Sequence, residues 1–183
     1  GHGSFINTDN AVTKISNAVS RIGSYEWPQV PTKTNKLLFK KIADLTGDTF
    51  DPANFKNLLK HLGSAAKMIG ATLTNTANPT MLEAGYKANV IPQSASAVVD
   101  GRFLPGHESD LVETITKLVG QEIDIEVITR DIALEADFSG SLVEAMCNAL
   151  AAEDSQAIPV PYLMSGGTDN KALSDLGIIG YGF

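Results

Sequence analysis

Histidine and cysteine are scarce in this sequence, and their scarcity excludes several kinds of site at once. The only cysteine, Cys147, cannot close an internal disulfide, so the fold does not depend on an oxidising compartment, and its apolar helical surroundings make it a packing residue. Of the three histidines, His61 lies on a charged helix and His107 in a Pro-Gly-His-Glu turn. Neither has metal-ligand spacing to a second candidate, so both read as solvated or capping residues. No run approaches the roughly 18 apolar residues of a membrane span, and the N-terminus lacks a basic-then-apolar signal pattern. A cytoplasmic location without a membrane partner is therefore expected. Clustered basic residues are missing too: 14 Lys and Arg stand against 21 Asp and Glu, and the formal charge of −7 is spread along the chain. That excludes a surface built to neutralise phosphates, and with it a nucleic-acid partner. Internal repeats and low-complexity tracts are absent.

What is present suits a folded core. With 43% hydrophobic and 19% charged residues over 183 positions, one compact domain, or one plus a fragment, is expected. Residues 9–22 read as an amphipathic helix, because Val12, Ile15, Val19 and Ile22 recur at helical spacing, with Asp9 to cap the start and Gly23 after the end. A Pro-containing connection follows. Leu37, Leu38 and Ile42 then predict a short helix, and the Asp51-Pro52 start signal predicts another carrying Phe55, Leu58, Leu59 and Leu62. This helical stretch, at about 25–67, reads as an insertion.

Beyond Lys67 the texture changes to strands, at residues 68–76, 85–90 and 94–104, separated by Asn/Pro and Ile-Pro-Gln punctuation. In the third, Ala95, Ala97 and Val99 share one face while Asp100 and Arg102 share the other. Leu111, Val112, Ile115, Leu118 and Val119 mark a second helix ending at Gly120, and Ile123, Ile125 and Val127 alternate with Asp124 and Glu126 as a half-buried strand. From about Ala133 a helix with Leu142, Val143, Met146 and Leu150 precedes an apolar segment at 160–164, a short helix after Thr168 and a strand-like end at 178–183. That pattern predicts part of a parallel α/β sheet.

Four segments stand out as sites for chemistry: Gly1-His2-Gly3-Ser4 with Asp9-Asn10-Ala11-Val12, then Asn89-Val90-Ile91-Pro92, Asp100-Gly101-Arg102, and Ser165-Gly166-Gly167-Thr168-Asp169. Three of the four have a plainer reading. Gly1 to Ser4 also reads as a functionless terminal remnant, Arg102 beside Asp100 as an i, i+2 surface ion pair, and Ser165 to Asp169 as a strand-to-helix turn capped by Thr168 or Asp169. No Gly-x-Ser-x-Gly or Gly-Lys-Ser/Thr pattern makes the glycine pair a nucleophile elbow or phosphate loop.

In order and separation the four segments, closed by Gly-Ile-Ile-Gly-Tyr-Gly-Phe at the C-terminus, resemble the zinc-dependent aminoacylase/carboxypeptidase family, which also contains succinyl-diaminopimelate desuccinylase. The resemblance runs over nearly the whole chain. It implies a two-domain hydrolase with two zinc ions in its catalytic domain and a smaller α+β lid that pairs subunits and covers substrate. Residues 1–131 would be that lid, a four-stranded antiparallel sheet with two helices on one face in β-α-β-β-α-β order, its first strand at or before Gly1. Residues 132–183 would be a C-terminal piece of the α/β catalytic domain. By the same resemblance His2 stabilises the oxyanion across a homodimer. Asn89 and Arg102 bind the substrate's carboxylate or acyl end, and Gly166, Gly167 and Thr168 contact the same terminus. The chemistry suits these assignments, since a donor aimed at developing negative charge is worth about 3 kcal/mol and a guanidinium fork matches a carboxylate.

The family's metal ligands do not follow. Its His-x-Asp element, bridging Asp, Glu-Glu pair and final His are not found among these residues, so a fragment of a longer protein is expected. Such a chain carries no zinc of its own and does not hydrolyse peptides or N-acyl amino acids alone. The competing class is a non-catalytic α+β module for self-association or regulatory ligand binding, which would have no use for the residues after Ala133.

Overall fold

A computed structural model describes all 183 residues. In chain order the elements are α1 (Ala11–Gly23), α2 (Lys33–Thr46), α3 (Lys56–Leu59), a 3-10 stretch (Lys60–Ala65), α4 (Ala66–Gly70), β1 (Thr76–Ala84), β2 (Ala95–Arg102), α5 (Glu108–Val119), α6 (Ser141–Glu153) and α7 (Asn170–Ser174). They fall into two compact units. One comprises Gly1–Pro28 with Asn75–Asp131, the other Gln29–Thr74 with Ile132–Phe183.

The first unit is α+β. Asn10, not the expected Asp9, caps α1 by accepting from the Val12 amide at 2.9 Å, while Asp9 reaches Lys14 at 2.6 Å. Ala18 and Ile22 of α1 meet Ala77 of β1 and Leu111 and Val119 of α5 in one core. Each such buried aliphatic contributes about 1.5–3 kcal/mol for the larger side chains. Arg21 closes the helix pair by donating from its guanidinium to the carbonyls of Leu118 and Val119, which α5 itself leaves unpaired at its C-terminus.

β1 and β2 pair antiparallel, with Thr76 opposite Arg102, Ala77 opposite Gly101 and Asn78 opposite Asp100. The register shifts between Pro79 and Met81, where proline has no N–H to give the ladder. A Cβ on Gly101 would lie 3.0 Å from Leu111 Cδ2, so this residue sits directly under α5. Strand alternation then sends Asp100 and Arg102 to the opposite, open face.

The sheet has two strands where four were expected. Met68 belongs to α4, and the strand predicted over 68–76 starts instead at Thr76. Residues 85–90 form a turn opened by Gly85 at φ 76°, with one bridge from Val90 to His2. Residues 123–127 form no strand: Ile123 reaches the core, but Ile125 and Val127 are 48% and 65% exposed. Their alternation marks one-sided burial, yet a strand also needs a neighbour for its N–H and C=O groups, and none runs beside them.

The second unit is helical. Leu38, Phe39, Ile42 and Ala43 of α2 pack on Phe55, Leu58, Ile69 and Leu73, with the Phe39 and Phe55 rings stacked at 4.4 Å. Asn35, fully buried, donates to the Thr72 carbonyl at 2.7 Å and ties the end of α4 to the start of α2. The helix expected after Asp51 begins later, with Asn54 Oδ1 accepting from the Lys56 amide at 3.1 Å, and Gly63 (φ 53°, ψ −123°) interrupts it. Glu135 accepts from the Thr34 amide at 2.7 Å, joining the C-terminal residues to α2. The partial α/β sheet expected beyond Ala133 has no strands: residues 160–164 and 178–183 are irregular, and Tyr162, Ile179 and Phe183 are exposed.

Candidate functional site

The N-terminal tetrapeptide lies along residues 89–91. Gly1 and Ile91 exchange hydrogen bonds, Gly1 N to Ile91 O at 3.0 Å and Ile91 N to Gly1 O at 2.8 Å, and Gly3 N donates to Asn89 O at 2.9 Å. The turn over residues 85–90, held by Val90 N donating to Lys87 O at 3.1 Å, presents Asn89 to this short ladder. A side chain at position 3 would meet Asn89 O at an ordinary 3.5 Å, so the pairing itself does not demand glycine there.

Two of the expected site residues are thereby brought together from 87 positions apart: His2 Nε2 lies 3.2 Å from Asn89 Nδ2. The other ring nitrogen, Nδ1, faces Ser4, with Oγ at 2.7 Å and the backbone amide at 3.2 Å. Phe5 sits edge-on to the imidazole at 6.1 Å between centroids. All of these groups are exposed. Ser4 was not singled out from sequence as a separate site residue; its position two residues after the histidine was the available signal.

Arg102, at the end of β2, holds its Nε 2.6 Å from Asp100 Oδ1 and its Nη2 2.9 Å from Oδ2. The hydrogen-bonded guanidinium lowers the Asp100 carboxyl below its ordinary value, with burial opposing it, and Asp100, joined by a weaker attraction from Asp131, raises Arg102. Because this contact uses only Nε–H and one Nη2–H, the three remaining guanidinium N–H groups can meet a second carboxylate.

Gly166, Gly167 and Thr168 belong to the helical unit and are exposed just before α7. Neither glycine adopts positive φ, so the turn's own geometry does not require them. Asp169 occupies the N-cap position of α7, but its side chain makes no capping bond. Cys147, half-buried, lines a shallow recess with Phe138, Gly140, Val143 and Glu144 rather than a core.

Among the described residues no group of three or more His, Cys, Asp or Glu side chains is placed to hold a metal ion. His61 meets Asp48 at 2.6 Å beside Lys60, and His107 meets Asp110 at 2.6 Å at the start of α5. No helix is long and apolar enough to cross a membrane.

Residues 1–125 match the family model of a peptidase dimerisation domain. The chain is also similar to a probable carboxypeptidase S-like 2 of Dictyostelium discoideum, at 23% identity over 184 residues, an alignment covering 93% of this chain and 34% of that protein. It thus spans about a third of the relative's length. No solved structure matches.

Proposed function

Since the chain belongs to the peptidase dimerisation domain family, we propose that it is the substrate-covering, subunit-pairing part of a metal-dependent hydrolase that cleaves the amide bond of a peptide or N-acyl amino acid. The observation that carries this reading is the meeting of His2 with Asn89 at 3.2 Å, which puts an imidazole and an amide side by side on the surface of a family whose parents are peptidases. The carboxypeptidase-like description of the relative supports a substrate with a free carboxylate near the scissile bond.

In this reading Asn89 and the N–H groups of Arg102 that Asp100 does not use grip the substrate's carboxylate, Gly166 and Gly167 offer backbone N–H groups and Thr168 its hydroxyl to substrate, and His2 serves a partner subunit by donating to the carbonyl oxygen as it gains charge. The lid pairs two copies. The side chains here do not fit a zinc site, since no cluster of ligands forms among them. We place the two zinc ions, their ligands and the general base outside these 183 residues, and no step of the reaction is assigned to this chain alone.

The test is kinetic, in the longer reading frame. His2→Ala should lower kcat by about a hundredfold or more with little change in KM, as loss of an oxyanion donor does. Arg102→Ala should act mainly on KM. Wild-type kcat in the His2→Ala enzyme would remove the histidine from the mechanism.

A further inference from the structure

A neutral imidazole carries one proton, on one of two nitrogens, and its neighbours decide which. At His2 the decision rests on the Ser4 backbone amide, 3.2 Å from Nδ1. A backbone N–H can only donate, so Nδ1 must accept. The proton is then on Nε2, and the group facing Nε2 at 3.2 Å must be an acceptor. An amide nitrogen cannot fill that role. A half-turn of the Asn89 side-chain amide, whose oxygen and nitrogen are nearly equal in size, brings Oδ1 to the imidazole instead.

We propose that Ser4 sets His2 as its Nε2–H tautomer, and that Asn89 Oδ1 holds this proton while no ligand is bound. Ser4 is a positioning residue, acting through His2. Its hydroxyl, 2.7 Å from Nδ1, can donate to the same lone pair and reinforce the amide. With its oxygen turned to the ring, Asn89 has both Nδ2 hydrogens for a ligand. The pair then offers donors to whatever displaces the His2–Asn89 bond, and it selects a carboxylate or a polarised carbonyl oxygen over an ammonium group. This rests on the reading that His2 and Asn89 face substrate. It adds which atoms do so and what fixes them.

The tautomer is read directly from long-range 15N–1H correlations of His2 in this chain, recorded where the imidazole is neutral, so turnover plays no part. The wild-type chain should show an Nε2–H fraction above that of a free Gly-His-Gly-Ser peptide. Ser4→Ala keeps the amide and should keep the tautomer, whereas Ser4→Pro removes the donor and should raise the Nδ1–H fraction severalfold. Retained Gly3–Asn89 cross-peaks in each variant show that the local ladder is intact. A dominant Nδ1–H form in the wild type, an unchanged ratio in Ser4→Pro, or an equal shift in Ser4→Ala overturns the proposal. Failure of His2→Ala to alter kcat in the complete enzyme would instead overturn the functional reading and leave the tautomer as measured.

Discussion

Asp100 receives two parallel hydrogen bonds from Arg102, at 2.6 and 2.9 Å, on the open face of the sheet. A free surface pair of this kind adds little stability. In the proposed reading its effect is orientation: the side-on edge of the guanidinium is occupied by Asp100, and the end-on edge is turned to a ligand's carboxylate. Arg102→Lys should weaken binding of a carboxylate probe such as N-acetylglycine nearly as much as Arg102→Ala, because an ammonium cannot reproduce the fork. Asp100→Asn should weaken it less. Chemical-shift titration of the chain checks all three. A lysine variant that binds like wild type would show that charge alone suffices.

The same pair predicts a pH dependence. Asp100's carboxyl is lowered from 3.8 by its hydrogen bonds from Arg102. A group depressed in the folded state stabilises above its unfolded value and loses that contribution as pH falls through the folded one. The bidentate contact should therefore survive acidification to pH 3.8 and break below it. The Arg102 Nε–H chemical shift, followed by NMR from neutral pH downwards, should hold its hydrogen-bonded position to that point and move below it. A shift at neutral pH equal to that of an unpaired arginine would mean the pair is not formed in solution.

Gly101 lies under α5 with little room for a methyl group, since a Cβ there would be 3.0 Å from Leu111 Cδ2, which would have to give by a few tenths of an ångström. Gly101→Ala should destabilise the first unit, by up to about 1–3 kcal/mol where Leu111 is held in place by the core around it. Leu111→Val in the same chain should recover part of that loss, because the branched terminus that blocks the methyl is withdrawn. Denaturant titration of the two single variants and the double variant measures the coupling, and strict additivity would rule out the contact.

Buried Asn35 is the polar hinge of the helical unit. Asn35→Ala leaves the Thr72 carbonyl without its 2.7 Å donor and should cost about 1–3 kcal/mol. Phe55→Ala empties one side of the ring stack with Phe39 and should cost about 3–5 kcal/mol. Thermal unfolding followed through this unit would show both, with Phe55 the larger.

Much of this was legible in the residues. Ile15 and Ile22 at helical spacing, and Leu111 with Val119, mark the buried faces of α1 and α5. The alternation of Val99 with Asp100 and Arg102 separates the two faces of β2. Where the reading went astray, the decisive partner lay far away in sequence or was not a side chain of the expected type. Met68 has the apolar character of a strand residue but sits in a helical turn whose Ile69 fills the core around Phe55. Ile125 and Val127 alternate correctly and still form no strand, because hydrogen-bond pairing is a property of two segments and periodicity reports one. At the site, motif order anticipated the nearness of His2 and Asn89 only through family resemblance. The contact of Ser4 with Nδ1 had only its i, i+2 spacing from His2 as a signal, because the turn that brings the two together is set by the pairing of residues 1–3 with 89–91.

Amide hydrolysis by the purified 183-residue chain with zinc added tests the division of labour most sharply. N-acyl amino acids and dipeptides should bind, shifting the resonances of Asn89 and Arg102, and remain uncut beyond the buffer blank. Zinc-dependent cleavage that a chelator abolishes would show that these residues assemble a working metal centre by themselves, and the division of grip from chemistry would be wrong.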